Sequence, residues 1–137
     1  MIKYYGVYGV LFGLALLSSP LLSQGKLKDL QQVQLLSQNE CVIVQVNADW
    51  NAKASINLDK YGKIKNCNWF NASIDNKEYG AIIANEWKIV SVPTIIMFEH
   101  GKEIKRFEAG LSFDLDEKSI IEQIKDEIDE MMLRRFQ

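Results

Sequence analysis

The sequence predicts a mixed α/β sheet with helices on both faces, and three features support that prediction. The β-branched run from Cys41 to Asn47 is too short for a helix and is typical of a buried strand. Two later apolar runs flank a turn containing Gly101, which supplies the positive φ that tight hairpins need. The chain ends in an amphipathic segment. A strand–helix–strand unit followed by a hairpin combines parallel and antiparallel pairing in one sheet.

Residues 1–23 have the pattern of a secretory signal peptide. Lys3 is their one charged residue, an apolar run extends from Gly6 to Leu17, and cleavage is expected near Ser23. A membrane anchor is the alternative, because the apolar run approaches the shortest length that spans a bilayer. A cleaved signal predicts an exported protein, periplasmic or secreted. Contact with a membrane is expected only if the segment is not cleaved.

The remaining elements follow from apolar spacing and turn residues. Residues 24–38 are expected to form an N-terminal helix or linker, and residues 39–137 the domain itself. The expected elements after the first strand are a short helix Ala52–Tyr61 capped by Gly62, a strand Trp69–Ile74, a helix Lys77–Trp87, and a hairpin of Thr94–Phe98 and Ile104–Phe107. In the final helix, one face carries Ile120, Ile121, Ile124, Ile128 and Met131.

Composition excludes several classes of function. The chain has 137 residues with a net charge of −2 and no concentration of Lys and Arg, so no nucleic-acid partner is expected. Its two cysteines, Cys41 and Cys67, fit no metal-ligand spacing, and His100 is its one histidine. We therefore expect no metal site and no cofactor.

Two motifs carry a resemblance to a known family. The segment from Val42 to Trp50 resembles the strand that leads into the thioredoxin active site, and Glu86 to Thr94 is similar to the turn that contains the family's cis-proline. The hairpin and the final helix continue the resemblance. It implies a thioredoxin-like fold for most of the chain beyond Asn39. It also implies a cis peptide bond before Pro93 and a peptide-binding backbone at Val92.

The chain departs from the family at the positions that carry its chemistry. Asn51 and Ala54 stand where the resemblance implies the two redox cysteines, and neither side chain can form a thiolate. The family's buried carboxylate falls at Gln45 and the basic partner of that carboxylate falls near Asn71, so proton transfer is lost too. The sequence therefore predicts a thioredoxin domain that lacks the CxxC cysteines and is redox-inactive at the usual site.

The leading interpretation is a peptide- or protein-binding, chaperone-like module. Trp50, Val92 and Pro93 would then line a shallow groove that holds an extended segment by β-type pairing. Two alternatives stay open at these positions. Trp50 could be a packing residue for the first helix, and the bend at Pro93 could serve only to start the next strand.

Cys41 and Cys67 allow a separate prediction. If their two strands are adjacent and parallel, as the resemblance implies, the cysteines begin those strands in matching register, which suits a structural disulfide. Two buried free thiols are the alternative. A relocated redox pair would instead make the protein a weak thiol-disulfide oxidoreductase, which is the second functional hypothesis.

Overall fold

The computed structural model describes residues 24–61 and 67–136, and five strands of these ranges form a single sheet. The strands are β1 (Gln24–Lys26), β2 (Cys41–Asn47), β3 (Cys67–Ser73), β4 (Thr94–Glu99) and β5 (Lys102–Glu108). Their order across the sheet is β1-β3-β2-β4-β5. The first two pairings, β1–β3 and β3–β2, are parallel, whereas β2–β4 and β4–β5 are antiparallel. The expected mixed sheet is therefore confirmed. The expected signal peptide and Gly62 lie outside the described residues.

Helices cover both faces of this sheet, as predicted. They are α1 (Leu30–Leu36), α2 (Gly80–Glu86) and α3 (Glu117–Arg135). Successive β2 residues point to opposite faces. Ile43 accordingly packs in a cluster with the apolar face of α3, and Val44 in a second cluster with α1 and α2.

The final helix matches its predicted apolar face. All five expected core residues of α3 are buried, and Asp116 caps its start by accepting a hydrogen bond from the Ser119 backbone N–H. At the other end, Arg135 donates to the buried carboxylate of Glu99 at the end of β4. This contact ties the last turn of the helix to the sheet, where a cation also complements the helix dipole.

Residues 24–38 contain more structure than the expected helix or linker. Gln24–Lys26 form an edge strand that pairs with β3, and the Leu27 N–H donates to the Asn71 carbonyl at 3.0 Å. The helix that follows buries Val33 against the sheet. The strand escaped prediction because it is short and polar, so it carries no apolar alternation.

The short helix expected over Ala52–Tyr61 is not formed as one continuous helix. Two short 3₁₀ turns, Asp49–Ala54 and Leu58–Tyr61, occupy this region, with extended backbone at Ser55 between them. The cause is a buried side chain. The Gln45 amide exchanges two hydrogen bonds with the backbone of Ile56, donating to its carbonyl at 2.9 Å and accepting from its N–H at 2.8 Å. An Ile56 held in this way cannot take part in an α-helical ladder.

The helix expected over Lys77–Trp87 is present but shorter, as Gly80–Glu86. The residues of its expected first turn are not helical. They form a turn in which the Asn76 side chain accepts hydrogen bonds from the Glu78 and Tyr79 backbone N–H groups. Gly80 is required at the helix start, since a Cβ there would lie 2.2 Å from the Ile74 carbonyl oxygen.

The predicted hairpin is confirmed. Its two central turn residues, His100 and Gly101, have φ values of 53° and 76°, the positive values of a type I′ turn. The exposed His100 is a turn residue whose backbone N–H donates to the Ser37 carbonyl.

Candidate functional site

Three chain segments meet at one edge of the sheet, the edge formed by the ends of strands β2, β4 and β5. β2 ends at Asn47 and leads to Trp50. Its antiparallel neighbour β4 begins at Thr94, directly after Pro93, and β5 ends at the same edge and leads into residues 109–116. The topology therefore brings Trp50, Val92 and Pro93 together.

Asn47 determines how the first segment is presented. Its buried side chain donates to the Asn51 carbonyl and to the Ser55 hydroxyl, both at 2.8 Å. The side-chain oxygen Oδ1 of Asn47 accepts a hydrogen bond from the Ala48 backbone N–H at 2.8 Å. These contacts hold the 3₁₀ turn, and Trp50 projects from it with 66% of its surface exposed.

Asn51 joins the three segments. Its side-chain NH₂ group lies 3.4 Å from the Val92 carbonyl oxygen, 3.0 Å from the Phe113 carbonyl oxygen and 3.2 Å from Asn47 Oδ1. All three partner atoms are oxygens that accept hydrogen bonds from the NH₂ group. Asn51 is thus a structural bridge at the position where the resemblance implies a nucleophile, and the half-buried Ala54 adds only a methyl group.

In the second segment, Val92 and Pro93 are both buried, in contrast to the exposed Trp50. The Val92–Pro93 peptide bond is cis, and the Pro93 carbonyl accepts from the Ala109 N–H at 3.2 Å. Among the described residues, the Val92 N–H donates to no acceptor. A free backbone donor next to a carbonyl is the arrangement that an added extended strand uses.

Arg106 anchors the chain that leads into Val92. Its guanidinium donates to the Trp87 carbonyl at 2.5 Å and to the Lys88 carbonyl at 3.2 Å, where the chain leaves α2. Lys88 has a φ of 50°, so the helix ends in a left-handed residue. The hydrogen bond to Glu103 is the main cause that raises the pKa of Arg106, which stays charged in this position.

Large apolar side chains are exposed on the three segments. The Trp50 and Phe113 rings pack edge to face, with centroids 5.4 Å apart and an interplanar angle of 81°. Two further large apolar side chains of the same segments, Val90 and Leu111, are almost fully exposed. We call the four residues Trp50, Val90, Leu111 and Phe113 the apolar rim. Of these, sequence reasoning identified only Trp50. The signal for Leu111 and Phe113 was the presence of large apolar residues in the loop 109–116, which also contains Leu115. Val90 carries no comparable signal.

Gln45 and Asn71 are neighbours in register, as expected, and the Gln45 amide donates to Asn71 Oδ1 at 2.9 Å. Together with its contacts to Ile56, this satisfies the buried Gln45 without an ionisable group. Trp69 and Trp87 are buried, the latter against Phe98, as their periodic positions indicate.

The two cysteines form the predicted disulfide. Cys41 and Cys67 are directly paired at the starts of β2 and β3, with their Cα atoms 4.6 Å apart. Both are buried in the cluster beneath α3. The bond lies at the opposite end of these strands from Trp50.

A small charged cluster flanks the start of α3. Lys60 lies 2.6 Å from the Glu117 carboxylate, and the Tyr61 hydroxyl donates to the same group. The hydrogen bond from Lys60, then that from Tyr61, lowers the pKa of Glu117. Within the described ranges, no three metal-binding side chains cluster together, and no helix is long and apolar enough to cross a membrane.

The fold is thioredoxin-like. Among solved structures, the thioredoxin of Malassezia sympodialis matches with a TM-score of 0.61 and 16% identity, over 75% of this chain and 91% of that one. The reduced thioredoxin pre-protein of Schistosoma mansoni matches with a TM-score of 0.60 and 17% identity, over 75% of this chain and 96% of the other. Oxidised mitochondrial thioredoxin 3 of Saccharomyces cerevisiae matches with a TM-score of 0.56 and 20% identity, over 79% of this chain and 99% of the other.

These identities establish the fold and nothing finer. No protein-family model matches the chain, and a search of curated proteins finds no match.

Proposed function

We propose that this protein is an exported peptide- or protein-binding module, chaperone-like in character and redox-inactive at the usual thioredoxin site. The observation that carries the proposal is the composition of the edge where the three segments meet. Trp50 is exposed at this edge, whereas Val92 is 5% exposed, and among the described residues its backbone N–H has no acceptor. Asn51, which follows Trp50 in the chain, contacts the Val92 carbonyl. Such a site can bind an extended segment but has no group that attacks a disulfide.

The proposed contact is β-type pairing. The backbone N–H of Val92 would donate to a carbonyl of the bound segment, and its carbonyl retains a lone pair beside the Asn51 contact. Trp50 would cover a side chain of that segment. Because main-chain pairing supplies much of the affinity and neighbouring side chains the preference, many sequences could bind with different strengths.

A library experiment tests this proposal. Linear peptides displayed on phage, without cysteine, are selected against the oxidised protein, and the affinities of selected peptides are measured by calorimetry. We expect Trp50→Ala to weaken binding by roughly tenfold or more, since a buried aromatic anchor contributes 1–3 kcal/mol. Leu133→Ala is the matched control. Leu133 is 65% exposed, close to the 66% of Trp50, and lies in the last turn of α3, at the end that is remote from residues 109–116 in the chain. Equal affinities for both variants would refute the proposed groove.

N-methylation of each selected peptide tests the backbone pairing. A methyl group at the residue opposite Val92 removes the peptide N–H, so one position should lose most of the affinity while its neighbours change little. A uniform response along the peptide would contradict β-type pairing.

The export part of the proposal rests on the signal-like segment 1–23 and on the disulfide, because such bonds persist in oxidising compartments. The intact mass of the protein recovered from cells tests it. Loss of about 23 residues is expected, and an uncut chain held in the membrane fraction would contradict it.

One observation favours a second function. Because Cys41 and Cys67 are bonded, the chain contains a dithiol–disulfide pair, as a weak thiol-disulfide oxidoreductase requires. Their burial argues against it, since exchange needs a thiolate with access to its substrate. Reduction of insulin with dithiothreitol distinguishes the two functions. Turnover that disappears in the Cys41→Ala/Cys67→Ala protein would establish the enzyme.

A further inference from the structure

Phe113 has an unusual backbone for an aromatic residue. Its φ is 57°, in the left-handed region, where non-glycine residues are uncommon. Its N–H donates to the Gly110 carbonyl at 3.0 Å, which closes a turn, and its own carbonyl accepts from Asn51. A conformation of this kind persists only where surrounding contacts hold it, and such positions cluster at ligand-binding sites.

The held conformation places the Phe113 ring against Trp50. Phe113 is 43% exposed, so part of the ring is free for a further contact. Asn51 holds both sides of the gap, because one NH₂ group donates to the carbonyls of Val92 and Phe113. The Asn51 side chain therefore links the backbone of Val92 to that of Phe113, in addition to the hydrogen bond between Ala109 and Pro93.

The charge of the three segments that carry the apolar rim is net negative. The three segments 48–54, 90–93 and 109–116 contain three carboxylates and one cation: Asp49, Asp114, Asp116 and Lys53. The structure records no ion pair between any of these carboxylates and another described residue. The surroundings of the apolar rim thus favour cationic groups on whatever binds there.

Resting on the proposed function, we infer that Phe113 is a specificity-determining wall of the groove and that Asn51 is the positioning residue which holds it. The occupant is an extended peptide segment with one large aromatic or aliphatic side chain flanked by Lys or Arg. The large side chain of the segment packs against the Trp50–Phe113 pair, and the backbone of the segment pairs with Val92. The basic residues next to that side chain face the carboxylates of Asp49, Asp114 and Asp116.

The test uses the same cysteine-free phage library and the full oxidised chain. Selected peptides should be enriched in an aromatic or large aliphatic residue next to Lys or Arg, and their affinity should fall as salt rises. Each selected peptide is paired with a version in which the large apolar residue is replaced by alanine. The ratio of the two affinities measures how strongly the wall discriminates.

Two variants then separate positioning from general stability. Phe113→Ser and Asn51→Asp should each reduce the affinity ratio by roughly tenfold. The carboxylate in Asn51→Asp cannot donate to either carbonyl, so amides 110–114 should also exchange faster in the free protein. Asn85→Asp is the control, an exposed asparagine of α2 that receives the same charge change. A merely structural role for Asn51 would weaken both peptides of a pair equally and leave the ratio unchanged.

The outcomes distinguish this inference from the proposed function. Peptides that depend on Trp50 but not on Phe113 or Asn51, or that show no apolar and basic preference, would overturn the inference and leave the groove intact. If no selected peptide depends on Trp50, the proposed function fails and the inference fails with it.

Discussion

Reduction of the Cys41–Cys67 bond should destabilise the protein without affecting peptide binding. The bond closes a loop over a sequence separation of 26 residues. With this loop length, the chain-entropy relation gives a free-energy difference of unfolding of about 3.5 kcal/mol at 25 °C. Since the bonded and reduced chains share one native packing, the difference arises mainly from the greater freedom of the reduced unfolded chain.

Urea unfolding measured by tryptophan fluorescence is the appropriate assay. With an m-value of about 1.5 kcal/mol/M, the reduced protein should unfold at a urea concentration lower by about 2 M. The Cys41→Ala/Cys67→Ala protein is the control, because the reductant should not shift its midpoint. Equal midpoints for the oxidised and reduced wild-type protein would refute the reasoning, and so would loss of peptide affinity on reduction, because the bond lies far from the groove.

Three further predictions concern buried or paired polar groups. Gln45→Glu should cost about 3 kcal/mol of unfolding free energy at pH 7, because an ionised carboxylate there loses two donor contacts. Burial raises the pKa of that new carboxyl in the folded state, so the loss should grow as pH rises above about 4.3. It should shrink in acid, where the protonated carboxyl can still make one of the two donor contacts. Arg106→Lys should cost about 1–2 kcal/mol and speed hydrogen exchange at 88–92, because an ammonium cannot reproduce the fork. Glu117→Gln should remove the part of the stability that Lys60 and Tyr61 give to the carboxylate, which is present above its ordinary pKa of 4.5 and lost as pH falls through the lowered value.

Each of these predictions has a matched control. Gln31→Glu changes an exposed glutamine of α1 and should have no pH-dependent effect. Lys105→Arg tests an exposed cation on the same strand as Arg106, and stability should stay within about 0.5 kcal/mol. Glu122→Gln lies on the exposed side of α3. If any control behaves like its partner variant, the effect does not come from the named contacts.

The sheet was predictable from the sequence because its signals are local. The β-branched residues of β2, the positive φ at Gly101 and the apolar spacing of α3 each act over a few residues. The disulfide pairing also followed, once the parallel register of β2 and β3 was assumed. The failures have a common cause. The 3₁₀ turns depend on Gln45 and Asn47, side chains that capture backbone groups several residues away, and propensity contains no information about such contacts.

The candidate site was only half predictable for the same reason. Trp50, Val92 and Pro93 could be placed through the resemblance, because they belong to motifs with fixed spacing. Phe113 could not, since its contact with Trp50 joins positions 63 residues apart in the chain and depends on the amide of Asn51. A loop residue held by one long-range hydrogen bond leaves no periodic signal in its own segment.

Placing a cysteine at position 51 should not produce a reactive thiolate. The Asn51 amide nitrogen lies within 3.4 Å of three oxygen acceptors, from Asn47, Val92 and Phe113. A thiolate in their midst would meet lone pairs without a compensating donor, so the pKa of the Asn51→Cys thiol should exceed the value of about 8.5 that an ordinary cysteine has. Iodoacetamide labelling across pH measures it, with Ala52→Cys as the exposed control on the same turn. A pKa below about 7 at position 51 would contradict this, because it would mean that the turn still stabilises a thiolate. The expected result instead means that the oxygen acceptors around position 51 suit an amide donor, and that a cysteine there does not become a reactive thiolate.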